Sequence, residues 1–215
     1  MEYEINLFGE AQPATQKRST KASKEAKEAR SGTFTDNMKL PIHRWFRYSA
    51  GFSAEWAKTI IEQEKVGSKL TVLDPFAGSG TTLLAAEHAG VESYGLESHP
   101  FVVRIASAKL LWHKIDPNKY IEEIYFLIEK SKEAQSEFPP NASALLAKCY
   151  SDDSLNKLFA LKSEFLKRNK DTPTDQLVWL TITTILRACS HAGTAQWQYV
   201  LPNKTKAKVL DPFDA

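Results

Sequence analysis

The sequence predicts an α/β protein with an incomplete parallel sheet followed by a mainly helical stretch, and three observations carry that expectation. An apolar and β-branched run, Leu70-Thr71-Val72-Leu73, ends in Asp74 and passes through a Gly78-Ser79-Gly80 turn into a helical pattern from Thr81 to Ala89. A second short run, Glu92 to Leu96, ends in a second acid, Glu97, and leads into another helical segment. Beyond Asp116 the pattern is mainly helical as far as about Ser190. A glycine turn at the carboxyl end of a parallel strand lets backbone approach a small ligand closely.

The elements follow in order. Residues 1–37 are expected to form a mobile basic tail. Its stretch from 11 to 30 holds Lys17, Arg18, Lys21, Lys24, Lys27 and Arg30 against Glu25 and Glu28, with almost nothing to bury. Residues 38–114 form the α/β segment. It begins with Pro41-Ile42-His43-Arg44-Trp45-Phe46-Arg47-Tyr48, too apolar for a plain linker. Ser53 caps a helix to about Gln63, with Gly67 as its stop. The first strand is Leu70 to Asp74, and its helix runs from Gly80 to Ala89 and closes at Gly90. The second strand is Glu92 to Leu96, and a helix from Pro100 to Lys114 has Ser98 or His99 as cap. Residues 115–200 are a helical insertion. Asp116-Pro117 opens a helix to about Ser136, broken by Phe138-Pro139-Pro140; two more helices fit Asp153 to Arg168 and Pro173 to Ser190, the last capped by Thr172. Residues 201–215 read as the start of a truncated continuation. There Val209-Leu210-Asp211-Pro212-Phe213 echoes Val72 to Phe76 without a glycine turn, an echo taken as chance.

Composition bounds the rest. The 215 residues, 42% hydrophobic, suffice for a full core. A net charge of +2 neither demands nor excludes nucleic acid. Cys149 and Cys189 stand singly, the N-terminus has no apolar signal region, and Leu177 to Leu186 is about half of a membrane span. Reduced thiols in a cytoplasmic protein without a membrane anchor are expected. His88, His99, His113 and His191 have no metal-ligand spacing, and no metal is expected.

The glycine turn excludes two nucleotide-binding loops. A P-loop needs Gly-Lys-Ser/Thr, yet Thr81-Thr82 follows Gly80; a dinucleotide fingerprint needs a third glycine where Leu83 stands. Asp74-Pro75-Phe76-Ala77-Gly78-Ser79-Gly80-Thr81-Thr82 instead resembles the S-adenosylmethionine (SAM) loop of DNA amino-methyltransferases, Asp-Pro-Phe-x-Gly-Ser-Gly-Thr-Thr, at every fixed place. Gly95-Leu96-Glu97-Ser98-His99-Pro100 is similar to the segment that follows it in that family, and Pro41 to Tyr48 with Phe52 is similar to the looser motif that precedes it. The resemblance is specific over about residues 38 to 114.

The resemblance implies a Rossmann-like SAM methyltransferase fold and SAM as cofactor. Asp74 is placed for the cofactor's ammonium, and Gly78 and Gly80 remove Cβ atoms that would clash with it. Glu97, 23 residues after Asp74, is placed for the ribose diol. Phe76, Ser79, Thr81, Thr82 and Pro100 complete the expected cofactor contacts; Pro100 and Phe101 either flank the adenine or belong to the core. His43 is the expected polar contact from the preceding motif, and Arg44 and Arg47 face the cofactor carboxylate or a nucleic-acid phosphate.

Family members acting on adenine N6 or cytosine N4 use Asp/Asn/Ser-Pro-Pro-aromatic to accept the amine's hydrogens and stack the flipped base. That tetrapeptide is absent. Phe138-Pro139-Pro140-Asn141 has the wrong flanks, and Asp211-Pro212-Phe213 has one proline. No catalytic residue is assigned. The expectation is the SAM-binding part of a longer or split DNA methyltransferase of a restriction-modification system, its partners being DNA and a second subunit or missing part that carries the motif. The alternatives are an RNA guanine-N2 methyltransferase and a non-catalytic SAM-binding or partner subunit.

Overall fold

The computed structural model describes residues 33–65, 69–134, 144–193 and 206–215, together with the backbone of two short strands near the N-terminus. Those strands, β1 (Tyr3–Ile5) and β2 (Ala11–Pro13), pair antiparallel and were not foreseen from sequence. Residues 14–32 of the expected tail, the Gly67 stop and the Phe138-Pro139-Pro140 break lie outside the described residues.

Two 3-10 turns, Thr35–Lys39 and His43–Trp45, lead into α1 (Ala54–Glu64). Ser53 caps α1 as expected, its hydroxyl accepting the Trp56 N–H. Buried Asn37 fixes the entry: its Nδ2 donates to Phe52 O at 2.8 Å and its Oδ1 accepts Ala54 N–H at 2.8 Å. Next come β3 (Thr71–Asp74), α2 (Thr81–His88), β4 (Glu92–Gly95) and α3 (Pro100–Leu110). β3 and β4 are parallel, with Leu73 opposite Tyr94 and Asp74 opposite Gly95. This is the expected strand–helix–strand–helix order.

α3 is shorter than the sequence predicts. It ends at Leu110, and a 3-10 turn over Trp112–Lys114 follows. Glu87 of α2 draws that turn aside: it accepts Trp112 Nε1–H at 3.0 Å and pairs with His113 at 3.1 Å. These side-chain bonds offset the lost helical turn.

The helical region comprises α4 (Pro117–Glu133), α5 (Ala144–Cys149), α6 (Asp152–Arg168) and α7 (Pro173–Cys189). Asp116 caps α4, and Thr172 with Asp175 forms a reciprocal capping box on α7. Ser151 caps α6, which starts one residue before the expected Asp153, and α5 was not predicted.

Three apolar clusters hold these elements. Ala57, Ile61, Ala85, Ala86 and Val91 join α1, α2 and the entry to β4. Ile105, Ala108, Leu177 and Leu180 join α3 to α7, with Trp45 and Phe46 against them. Leu127, Leu161, Phe165 and Val178 join α4, α6 and α7, and Phe213 packs on this group. The Arg104 guanidinium lies 4.0 Å over the Trp179 ring and donates to Gln176, a second tie between α3 and α7.

The C-terminal segment folds back on these helices. Leu210 N–H reaches Ala188 O, and Asp211 pairs with Lys157 at 2.5 Å. Asp211 Oδ1 accepts Phe213 N–H at 2.9 Å, the bond that Asp74 Oδ1 makes to Phe76 N–H at the same distance. The sequence echo taken as chance therefore encodes one local turn used twice.

One face of the parallel pair is bare among the described residues. Leu73 is 64% exposed and Tyr94 57% exposed. Parallel sheets are ordinarily covered on both faces.

Candidate cofactor site

The site is built where β3 and β4 end. The ladder runs past the strands, because Leu96 N–H donates to Asp74 O and Ala77 N–H donates to Leu96 O, each at 2.9 Å. The glycine loop is thereby tied to the tip of β4. Both strand-end carboxylates brace this loop. Asp74 Oδ2 accepts the Thr82 hydroxyl at 2.5 Å while Oδ1 holds Phe76 N–H. Glu97 Oε2 accepts Gly78 N–H at 3.1 Å, and Oε1 accepts His99 N–H at 2.9 Å. Asp74 with Thr82 and Glu97 with Gly78 thus brace the loop at two points. Each carboxylate is half-buried and retains acceptor capacity beyond these bonds.

The glycines are required by the chain's own packing. Gly78 and Gly80 have φ of 50° and 85°. A Cβ on Gly78 would lie 2.9 Å from the Tyr48 ring, and one on Gly80 would lie 3.3 Å from Ala106 Cβ. The sequence had attributed their missing side chains to a ligand. Tyr48 and α3 already need the space.

Ser79 and Thr81 are buried, and they line a small polar recess with Asn37, His43, Tyr48 and Lys109. Lys109 lies on the buried face of α3, 1% exposed, and its ammonium donates to His43 O at 3.2 Å. Burial pushes its pKa down to about 8. The His43 imidazole is pushed down to about 4, first by burial and then by the Lys109 charge, so it is neutral at pH 7. Ile42, buried beside it, has φ of 65°, a strained conformation for a β-branched residue.

The predicted residues therefore fall into two groups, Asp74, Thr82 and Glu97 bonded along the loop and His43, Ser79 and Thr81 at the polar recess, with Gly78 between Glu97 and Tyr48 and Gly80 against Ala106. Phe76, 86% exposed, and Pro100, at the first turn of α3, stand in solvent. Sequence reasoning missed Asn37 and Lys109, and held Tyr48 only as the end of the Pro41–Tyr48 motif. Lys109 left one legible signal: it interrupts the apolar stripe Val102, Ile105, Ala106 of its own helix.

Comparisons with known proteins cover the segment that carries this glycine loop. Residues 4–108 match the family described as DNA methylase. Over that segment, just under half of its length, the chain is similar to DNA methylases. Its relatives include the type II methyltransferase M.BsoBI of Geobacillus stearothermophilus, 38% identical over 108 residues, or 46% of this chain and 21% of that protein. The type II methyltransferase M.AvaI of Nostoc sp. is 38% identical over 68 residues (32% of this chain, 14% of that protein). M.MjaII of Methanocaldococcus jannaschii is 39% identical over 62 residues, covering 29% and 11%. The chain spans about a fifth or less of the length of these relatives. No solved structure matches. Among the described residues, no helix is long and apolar enough to cross a membrane.

Proposed function

We propose that this chain forms the SAM-binding part of a DNA amino-methyltransferase acting on adenine N6 or cytosine N4, as part of a Rossmann-like fold completed by other polypeptide. The observation that carries this reading is the bracing of one glycine loop by Asp74 and Glu97. The same two carboxylates retain lone pairs for a cationic amine and a vicinal diol. Bound SAM supplies an electrophilic methyl group on its sulfonium.

Asp74 holds the ammonium, Glu97 the ribose hydroxyls, and Phe76 and Pro100 offer exposed apolar surface to the adenine. At the polar recess, neutral His43 and the hydroxyls of Ser79 and Thr81 face the methionine portion. The Pro-Pro-aromatic motif that readies the target amine comes from outside these 215 residues, in the same longer chain or a second subunit. The Leu73 and Tyr94 face, left bare among the described residues, favours this, because parallel sheets are ordinarily covered on both faces.

Calorimetric titration of the chain with SAM tests the proposal, alongside tritiated-methyl transfer to DNA. Binding without transfer is expected. Absence of SAM binding overturns the cofactor assignment. Incorporation by the isolated chain overturns the account of the missing catalytic motif.

A further inference from the structure

A second cleft, of about 500 Å³, opens between the His43–Trp45 turn and α7. Its lining brings Arg44 and Arg47 together with Arg187, some 140 positions away in sequence. No acidic side chain lines it among the described residues, and none of the three arginines has an ion pair there. Arg187 is held below its ordinary proton affinity by burial and by the nearby charge of Arg47. Lys206 is lowered likewise, by burial and then by Arg187. A cluster of like charges without a counter-ion is costly to assemble, and an anion offsets that cost.

The walls of the cleft, distant in sequence, are tied together by several contacts. The Thr184 hydroxyl donates to Trp45 O at 2.7 Å, tying α7 to the turn that carries Arg44. The Lys109 ammonium holds the same turn at His43 O. Edge-to-face contacts from Phe46 to Phe101 (6.2 Å between centroids) and from Phe101 to Trp179 (5.8 Å) close the floor. Phe101 nevertheless remains 43% exposed and lines the cleft. It follows Pro100 in α3, four residues after Glu97, so this floor adjoins the cofactor shelf.

We propose that this cleft binds a DNA phosphodiester, with Arg47 and Arg187 as the phosphate contacts and Phe101 as an aromatic platform for the adjoining base. Guanidinium pairs match phosphate oxygens, and exposed rings beside basic groups bind unstacked nucleotides. The inference rests on the DNA reading above and deepens it, because it assigns a substrate surface to a helix far in sequence from the glycine loop.

The test is binding of the full chain to a fluorescent 20-base-pair DNA across a salt series, with SAM affinity measured in parallel by calorimetry. R47Q and R187Q are each expected to weaken DNA binding about tenfold. Each also lowers the slope of log affinity against log salt by about one. SAM affinity is expected to stay unchanged, R187K to retain the slope, and K119Q, on the exposed side of α4, to behave as the parent chain. An unchanged slope in R47Q and R187Q overturns the cleft while leaving the methyltransferase reading intact. A loss of SAM affinity in these variants also overturns it, assigning the guanidiniums to the cofactor carboxylate. An equal loss in K119Q, or preference for an RNA duplex of the same sequence, does the same. Failure of the parent chain to bind SAM strikes the underlying reading; failure to bind DNA while SAM binds strikes the cleft.

Discussion

Replacing Glu97 by alanine separates its bracing of the glycine loop from its proposed contact with the cofactor. The carboxylate accepts Gly78 N–H at 3.1 Å and His99 N–H at 2.9 Å. Hydrogen bonds to an ionised acceptor contribute about 1.5–3 kcal/mol each when buried. The Gly78 amide lies in the buried loop, whereas His99 is exposed and water replaces its acceptor at little cost. The variant is therefore expected to lose about 2 kcal/mol of stability, nearly all through Gly78. For a chain of this size that corresponds to about 4–8 °C in Tm. On the proposed function, cofactor affinity should fall further than loop loosening alone explains, by about ten- to hundredfold, through loss of the proposed charge-assisted bond to the ribose. Urea unfolding monitored by tryptophan fluorescence gives the first quantity, and calorimetric titration with SAM the second. Unchanged stability would refute the bracing role. Lost stability with unchanged affinity would refute the ligand role and leave Glu97 a structural residue.

Three further outcomes are expected. Gly95→Ala places a Cβ 2.8 Å from both Ala77 Cβ and Leu83 Cδ1, two buried neighbours, and should cost about 1–3 kcal/mol by overpacking; a thermal melt matching the parent chain sinks it. Stability should rise with pH in two separate windows. The unfolded chain binds the His43 proton between about pH 4 and 6.5 while the native state does not, so stability falls on acidification through that range, by about 2 kcal/mol given partial exposure of the ring. The native state likewise sheds the Lys109 proton near pH 8 while the unfolded chain keeps it to about 10.5, so stability rises again above pH 8. Urea unfolding across pH should show both slopes, with His43→Asn flattening the acidic one and Lys109→Met the alkaline one; slopes that persist in the variants count against these assignments. Thr172→Ala removes both the cap to Asp175 N–H and the hydroxyl that Asp175 holds, and should cost about 1 kcal/mol, read as an earlier urea midpoint with unchanged SAM affinity.

The run from Asp74 to Thr82 and the tip at Glu97 were legible because their signals are local: a β-branched strand, positive-φ glycines and an acid at each strand end lie within a few residues of one another. The caps at Ser53, Asp116 and Thr172 were legible for the same reason, each depending on a side chain and an amide two or three positions apart. The shortening of α3, the burial of Lys109 against His43, the packing of Tyr48 on Gly78 and the meeting of Arg47 with Arg187 were decided only when distant segments came together. No window of sequence records that Glu87 takes hold of Trp112 and His113, or that Thr184 reaches back to Trp45. Short-range hydrogen bonding and periodicity determined the cradle. Long-range burial, which sets the company each charge keeps, determined its electrostatics and the basic cleft beside it.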